Sequence, residues 1–502
     1  MNLFLALTIP SLILLYLFKY IYFKIWFPLK VKIHFVRQGI NGPKYRPIYG
    51  NSEEVRNLFD ETLKNPMNPL NHDIVHRADP FCHKWFNKCG KTFIFFHGSI
   101  PRLGLLEPEM VKEVMLNKSG FIGKAKMPPL AKQLFGKGLV DLHGENWAFH
   151  RKIANRAFLM DRIKGWIPEF VDCTGKMMKN WEVEIRGEKD EFEVDVKKEF
   201  HKLSAEILSR TLFGSSFEEG KLVFELQEQQ SMLTMKALRE VNLPGLRFLP
   251  TQENRLRWKI QEETRRMIKI LIEKDGKTRG NSKNLLSLLR PENEEDGLAL
   301  DEVIDECETF YFAGKEAVAN FLSWALLLLA VHQEWQNKAR QEISQVFKEN
   351  ELPNSNNLSE LKIVTMIINE VLRLYPPIPA LFREASKDIK VGSLDIPAGT
   401  EFCLPIVAIH HDIDIWGKDA NEFNPERFSK PRNHLASFFP FGLGTRGCIA
   451  QNFGMTEAKV ILAMILNKFS FTLSPSYVHA PVTYLTFQPQ FGAQIIFKNV
   501  KA

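Results

Sequence analysis

The sequence predicts a mainly α-helical domain with a small β region, preceded by a single N-terminal transmembrane helix. Three observations lead to this fold class. Apolar residues recur with helical spacing through most of residues 107–275 and again through residues 298–331. Short stretches of β-branched and aromatic residues, bounded by turn formers, occur around residues 91–106 and in the last quarter of the chain. Residues 3–27 form one long apolar run.

The N-terminal apolar run, from Leu3 to Phe27, is long enough for a spanning helix if Lys19 and Lys24 extend their ammonium groups to the interface. A cleaved signal peptide is the alternative. It would have positive charge before the apolar run and a small-residue cleavage site after it, and neither is present. Basic residues follow the run instead, and the positive-inside rule then places the remaining chain in the cytosol. We expect residues 1–28 to be a membrane anchor.

A segment with two prolines and three glycines, residues 29–51, follows the anchor and predicts a stiff, extended connector. The remaining 52–502 can bury a large core, since 45% of the chain is hydrophobic. The net charge of +7 without a basic tract suits a membrane surface or an acidic protein, not nucleic acid. Six cysteines without CxxC spacing indicate a reducing compartment.

A single cysteine, Cys448, lies between a glycine-rich loop and an apolar helical run. Turns at Gly442, Gly444 and Gly447 leave backbone N–H groups free, and the N-terminus of the following helix adds positive partial charge. Both features favour a thiolate. A buried, inert thiol is the ordinary alternative for a lone cysteine. The surroundings favour a thiolate that binds a metal.

Two residues before Cys448 strengthen this interpretation. Arg446 carries a guanidinium that suits a carboxylate, and the Phe441 ring can cover one side of a flat ligand. With Gly444, these positions resemble the haem-binding loop of the cytochrome P450 superfamily, in which the cysteine is the axial iron ligand. Ala450 stands where that family usually has glycine, and a helix tolerates the extra methyl group in its first turn.

The longest helical pattern, residues 298–331, contains AGKEAVAN from Ala313 onward. Its apolar second half is too short for a membrane span and predicts a core helix. The segment resembles the oxygen-activation segment of the same family, with Gly314 and Glu316 at matching positions. Small residues there let a bulky group approach the backbone. The resemblance implies catalytic roles for Gly314, Glu316 and the next residue, Ala317.

The residue after the acid departs from the family pattern, because Ala317 stands where threonine is usual. A threonine hydroxyl normally helps to deliver protons to bound dioxygen, and alanine cannot relay a proton. Three explanations stay open: a water chain organised by Glu316, a hydroxyl supplied by the substrate, or chemistry without dioxygen activation.

Further motifs carry the resemblance along the chain. Trp147 and Arg151 lie four residues apart on one face of a predicted helix. The resemblance implies that both contact a haem propionate, and that Arg383 makes another propionate contact. His150, beside them, is as readily a surface histidine. Pro376 and Pro377 end another helix, after which residues 378–382 are expected to line a substrate pocket, with residues near Leu485 and Thr486.

An ExxR pair, Glu370 and Arg373, precedes those prolines, and a PERF motif supplies Arg427. A surface ion pair is the ordinary interpretation of the first two, but their apolar neighbours indicate burial, which requires further partners. The combination is highly specific for cytochromes P450. It implies a structural triad of Glu370, Arg373 and Arg427 behind the cysteine loop.

The resemblance covers essentially the whole chain. Several short segments are further similar to those of the plant clan that modifies gibberellins, brassinosteroids, cytokinins, triterpenoids and iridoids. It implies haem b bound by Cys448 and a monooxygenase acting on an apolar small molecule. It further implies electrons from NADPH through NADPH–cytochrome P450 reductase, possible help from cytochrome b5, and an endoplasmic reticulum membrane location with a cytosolic catalytic domain. A haem-thiolate isomerase, lyase or ring-forming oxidase is the alternative that Ala317 raises, and a non-enzymatic haem protein is a third.

Overall fold

Helices dominate the computed structural model, which describes residues 2–69, 71–184, 191–239, 248–277, 284–290, 297–348, 351–432 and 434–500. Within these residues the α-helices are α1 Asn2–Ile21, α2 Phe27–Arg37, α3 Ser52–Thr62, α4 Val75–Ala78, α5 Pro80–Cys89, α6 Pro108–Met115, α7 Pro129–Phe135, α8 Gly144–Asn155, α9 Met160–Glu184, α10 Val196–Leu212, α11 Phe217–Arg239, α12 Gln252–Lys277, α13 Leu285–Leu289, α14 Leu300–Val331, α15 Gln333–Val346, α16 Asn357–Glu360, α17 Lys362–Leu374, α18 Ile406–His410, α19 Ile413–Trp416 and α20 Gln451–Lys468.

The strands form small sheets, as predicted. They are β1 Thr92–His97, β2 Ile100–Leu105, β3 Ile122–Lys124, β4 Glu191–Asp195, β5 Leu381–Ala385, β6 Ile389–Val391, β7 Leu394–Ile396, β8 Glu401–Leu404, β9 Phe469–Leu473, β10 Pro481–Thr483, β11 Phe487–Pro489 and β12 Gln494–Asn499. The largest sheet has the order β1-β2-β8-β5-β3, and a second has the order β4-β12-β9. The predicted hairpin near Gly98 is confirmed, since β1 and β2 pair antiparallel with His97 opposite Ile100.

The core has two parts. The larger one lies among the helices around α14, and the smaller one lies against the β1-β2-β8 sheet. Most side chains of α14 between Val303 and Ala330 are buried. Among the described residues, α14 alone is long and apolar enough to cross a membrane, and 72% of its apolar window is buried inside the domain. The prediction that its second half is a core helix is therefore confirmed.

The N-terminal residues continue as helix beyond the expected anchor. A five-residue π-helical turn, Tyr22–Trp26, joins α1 to α2. Pro28 lies in the first turn of α2, where its missing N–H costs nothing, and Val31 and Phe35 are buried against the smaller core. The connector predicted as extended is thus helical as far as Arg37, because burial of these two side chains outweighs the turn-forming residues that follow.

The segment that joins α12 to α14 contains a further helix. Residues 276–297 contain the short helix α13, whose Leu285, Leu286 and Leu289 are buried. Asn284 caps this helix, because its side chain accepts a hydrogen bond from the Ser287 N–H at 2.9 Å. Three apolar residues on one helical turn outweigh the surrounding turn formers. Residues 278–283 and 291–296 of the same segment lie outside the described residues.

Candidate active site

The cysteine loop is shaped by backbone turns. The Cys448 N–H donates to the Phe441 carbonyl at 2.8 Å, and the Gly447 N–H donates to the Gly444 carbonyl at 3.0 Å. Gly444 has φ +72°, and a Cβ there would lie 2.8 Å from the Met115 carbonyl oxygen, so only glycine fits this approach. Helix α20 begins three residues after Cys448, at Gln451. The loop thus places Cys448 just before a helix N-terminus, as predicted.

The Cys448 side chain is accessible, yet it is recessed among protein atoms, and this burial raises the pKa of its thiol. A hydrogen bond from the Ala450 N–H and the positive charge of Arg151 oppose this and favour the thiolate. A thiol that is accessible, recessed and surrounded by thiolate-stabilising groups is suited to bind a metal ion.

Four cations lie close to this loop. Arg446 donates to the Leu142 carbonyl at 2.9 Å and its guanidinium lies 3.9 Å from the centroid of the Trp147 ring. Arg151, on α8, donates to the Gly447 carbonyl at 2.9 Å. Arg383 on β5 pairs in register with Lys124 on β3. Among the described residues, no carboxylate pairs with any of these four cations.

The cations also repel one another. Burial, with the charges of Arg383 and Arg151, lowers the pKa of Arg446 to about 10. Burial alone lowers that of Arg383 to about 10. Burial, with the charges of Arg383 and Arg446, lowers the pKa of Lys124 to about 8, and Asp141 offsets part of this effect. Half-buried or buried cations that form no ion pair with a carboxylate among the described residues indicate a site for an anionic ligand.

On α14, the predicted oxygen-activation segment has one exposed residue, Ala313, in an otherwise largely buried helix, and Ala317 one turn later is half-buried. Gly314 points elsewhere, because a Cβ on it would lie 2.7 Å from Leu208 Cδ2 of α10. The space that Gly314 leaves is therefore filled by a neighbouring helix. Of the small pair, Ala313 alone is exposed.

Glu316 takes part in a polar network that leads away from Ala313. Its carboxylate lies 3.4 Å from His201 Nδ1 and accepts from Lys315 Nζ at 3.2 Å. Burial would raise the pKa of Glu316, but His201 and Lys315 together lower it to about 2. The network continues through His201 Nε2 to Asn320 Oδ1 at 3.4 Å, and Asn320 donates to Thr486 Oγ1 at 2.9 Å. Glu316 is thus ionised and held by His201 and Lys315.

Comparison with known proteins identifies the arrangement. The sequence profile described as Cytochrome P450 matches residues 70–488. This chain belongs to the cytochrome P450 family. It is 41% identical over 489 residues to "Cytochrome P450 734A1" of Arabidopsis thaliana, covering 95% of this chain and 93% of that protein. It is 42% identical over 491 residues to "Cytochrome P450 CYP72A616" of Paris polyphylla, covering 95% and 94% of the two chains.

Cytochromes P450 are haem-thiolate monooxygenases, so this protein is an enzyme of that class. The residues present fit the cofactor of the family. Cys448 provides a recessed, accessible thiol, and the unpaired cations match the two propionate carboxylates of haem. Lys124 was not predicted from the sequence. A lysine on a three-residue strand gives no local signal, and only its pairing with Arg383 in the sheet reveals it.

His150 is not a surface histidine in this cytochrome P450. It is buried, and its Nδ1 lies 2.7 Å from Glu306 Oε1 on α14. Burial lowers the pKa of His150, but the hydrogen bond and charge of Glu306, with a smaller effect from Glu302, raise it above its usual value. The pair therefore joins α8, which carries Trp147 and Arg151, to the central helix.

Glu370, Arg373 and Arg427 lie together, as the ExxR and PERF motifs predict. Arg373 forms a bidentate pair with Glu370, with both N–O distances 2.7 Å, and neither side chain is exposed. Arg427 Nε donates to Glu370 Oε1 at 3.2 Å and its Nη2 donates to Asp419 Oδ2 at 2.8 Å.

Replacing Gly314 with alanine is expected to destabilise the protein by about 1–3 kcal/mol, because the new Cβ overlaps the Leu208 side chain. Gly165→Ala in α9 is the matched control. A Cβ at Gly165 meets nothing within 4 Å, so alanine there should stabilise by about 0.5–1 kcal/mol. Thermal unfolding of both variants checks the difference. If Leu208→Ala fails to relieve the cost of Gly314→Ala, the overlap is not its cause.

Proposed function

We propose that this cytochrome P450 oxidises an apolar small molecule, a terpenoid, a steroid or another specialised metabolite, with O2 and electrons derived from NADPH. The observation that carries the proposal is the position of Cys448, accessible within the domain and beside cations that lack counter-charges. Apolar groups are also exposed or partly exposed at Ala313 and Ile378, in the two segments that the family resemblance places around the substrate. An apolar substrate suits such surroundings.

The chain's own residues would hold haem b from two sides. Cys448 would bind the iron through its sulfur, and the Phe441 ring would cover the face next to the thiolate. Arg151, Arg383, Arg446 and the unexpected Lys124 would neutralise the two propionates, with Trp147 orienting Arg446 by its ring contact. When bound, the thiolate-ligated haem supplies the oxidising chemistry that activates dioxygen.

Proton delivery is where this chain departs from its family. Ala317 has no hydroxyl, and Glu316, whose pKa of about 2 leaves it ionised, is held by His201 and Lys315. An ionised, paired carboxylate can orient a water molecule but does not itself carry a proton at neutral pH. We infer that water or a substrate hydroxyl supplies the protons, with Glu316 as the orienting group.

The substitution Ala317→Thr tests this inference. A threonine hydroxyl at this position is expected to raise the product formed per NADPH consumed by a few-fold. One positioned proton donor typically speeds a step by about 100-fold or more, and water or a substrate hydroxyl already provides part of that effect here. The ratio of product to NADPH is the measurement, and Ala317→Ser and Ala317→Val are the matched variants. Valine has the shape of threonine without its hydroxyl. An equal rise with valine would mean that shape, not proton transfer, limits the reaction.

A haem-thiolate isomerase, lyase or ring-forming oxidase is the second candidate, and Ala317 is the observation that favours it. An isomerase or a lyase converts its substrate without taking electrons from NADPH. Membranes that contain the protein separate the two functions when they are incubated with candidate terpenoids and steroids, with and without reductase and NADPH. Turnover that requires both supports the monooxygenase. Turnover without either supports the isomerase or lyase, and no turnover across a broad substrate panel counts against both candidates.

The remaining features concern the cell. We propose that residues 1–28 anchor the enzyme in the endoplasmic reticulum membrane, that residues 29–51 connect the anchor to the body, and that residues 52–502 form a cytosolic catalytic domain. Exposed apolar side chains on α1, such as Leu14 and Phe18, support the anchor. The net charge of +7 suits an acidic electron donor. That donor would be NADPH–cytochrome P450 reductase, with cytochrome b5 as a second partner.

A further inference from the structure

A cluster of buried aromatic and titratable side chains lies beyond the proposed site and has no part in haem binding. The Tyr375 cluster comprises Trp324, Tyr375, Tyr477 and three histidines, His72, His332 and His479. Tyr375, directly after α17, is fully buried, and its ring stacks on that of Trp324 with centroids 4.2 Å apart and an interplanar angle of 25°. Packing of a tyrosine ring does not require titratable neighbours, and Tyr375 has several.

The cluster is joined to the proposed site through α14. Trp324 follows Ala317 by seven residues, two helical turns, so both lie on the same face of the helix, roughly 10 Å apart along its axis. Asn320, between them, belongs to the Glu316 network. Rings in van der Waals contact exchange electrons readily, and Trp324 is therefore placed to connect Tyr375 with the region of Ala317.

Hydrogen bonds connect the Tyr375 hydroxyl to two histidines in series. The hydroxyl lies 2.9 Å from His72 Nδ1, and His72 Nε2 lies 3.0 Å from His332 Nε2. A phenol that donates to His72 Nδ1 requires the other tautomer proton of His72 on Nε2, which then donates to His332. Burial, with the neighbouring His332, lowers the pKa of His72 to about 3, so His72 is neutral and able to accept. A second histidine, His479, lies 3.5 Å from the same hydroxyl.

The far end of this series lies at the C-terminus of a helix. His332 is the C-cap of α14, where the carbonyl end of a 32-residue helix favours a cation. It is half-buried, and burial lowers the pKa of His332, with Glu334 offsetting only part of that effect. A proton moved from Tyr375 to His332 thus passes from a fully buried group to one near the surface.

We propose that Tyr375 is a redox-active tyrosine that reduces the oxidised haem site when no substrate is present to react with it. In this step Tyr375 gives one electron, through Trp324, to the oxidised haem site that a peroxide leaves behind. Its phenolic proton moves to His72 Nδ1, and the His72 Nε2 proton moves to His332 Nε2. The products are a neutral tyrosyl radical, a site reduced by one electron and a protonated His332. A soluble one-electron reductant, such as ascorbate, then restores the phenol.

This inference rests on the proposed haem-thiolate function, and its test separates the two. The full-length enzyme with haem is first checked for the thiolate-type Soret band of its reduced carbon monoxide complex. It is then mixed with cumene hydroperoxide in the absence of substrate, freeze-quenched, and measured by electron paramagnetic resonance, with and without ring-deuterated tyrosine. The wild type is expected to give a tyrosyl radical signal that narrows on deuteration. Tyr375→Phe is expected to lose that signal and to lose its haem absorbance to the peroxide severalfold faster.

Two further variants sharpen the test. Tyr311→Phe is the matched control, since Tyr311 is also a buried tyrosine, lies on α14 and stacks on Phe213, but no histidine among the described residues bonds to its hydroxyl. It should keep the signal. His72→Gln keeps the Tyr375 ring but cannot take its proton, so the radical yield should fall severalfold, and this variant carries the test if Tyr375→Phe does not fold.

An undiminished radical in both Tyr375→Phe and His72→Gln, with the Soret band present, would overturn the relay and leave the proposed function intact. So would a wild type that forms no tyrosyl radical. A wild type without the thiolate-type band would contradict the proposed function and the relay together.

Discussion

Cys448→Ser is expected to abolish the thiolate-type Soret band of the reduced carbon monoxide complex and to eliminate product formation. Serine is nearly the same size, so the turns at Gly444 and Gly447 should persist, but its hydroxyl is a poor ligand for haem iron at neutral pH. Loss of even an outer partner of a metal ligand typically costs about 10–100-fold, and loss of the ligand itself should exceed that. Difference spectra and turnover with reductase and NADPH are the measurements.

The control for this substitution is another cysteine of this chain. Cys89, half-buried at the end of α5, lies in a different part of the chain, and burial raises the pKa of its thiol. Cys89→Ser should keep both the Soret band and the activity. A thiolate-type band that survives in Cys448→Ser, or disappears equally in Cys89→Ser, would show that Cys448 is not the ligand.

The cysteine loop could be predicted because its chemistry is local. Phe441, Gly444, Arg446 and Cys448 lie within eight consecutive positions, and the turns that expose the thiol belong to the same segment. The ExxR pair is similarly local, three residues apart on α17. Motifs of this kind can be recognised in a sequence because all of their interacting residues belong to one short segment.

What the sequence could not predict depends on contacts between distant elements. Lys124 approaches Arg383 because β3 pairs with β5, and no pattern around Lys124 announces that pairing. The sequence predicted that Gly314 lets a bulky group approach, yet α10 brings Leu208 against it. His150 is buried because Glu306 on α14 receives it. In each case the partner belongs to another helix or strand, and the tertiary contact decides between interpretations that are locally equivalent.

Arg373→Met is expected to cost about 3–5 kcal/mol of folding free energy, the usual result of removing one partner from a buried ion pair. Five donors of the Arg373 guanidinium are all used. Besides its two bonds to Glu370, it donates to the carbonyls of His410 at 2.8 Å, Ala420 at 2.6 Å and Glu422 at 3.1 Å. Methionine fills similar volume but leaves these three carbonyls and the Glu370 carboxylate short of donors.

The carbonyls that Arg373 binds lie in the chain between α17 and the cysteine loop. Loss of these hydrogen bonds should therefore loosen the segment that leads to Cys448. Haem retention and the half-life at raised temperature are suitable measurements, since unfolding of a protein this size is usually irreversible. Arg427→Met is the graded comparison. Arg427 shares Glu370 but also pairs with the half-exposed Asp419, so water can replace part of what it provides, and its loss should cost less, about 1–3 kcal/mol. Equal losses of stability in the two variants would mean that Glu370 depends on both arginines together. The buried bidentate pair of Arg373 with Glu370 would then not be the dominant contact.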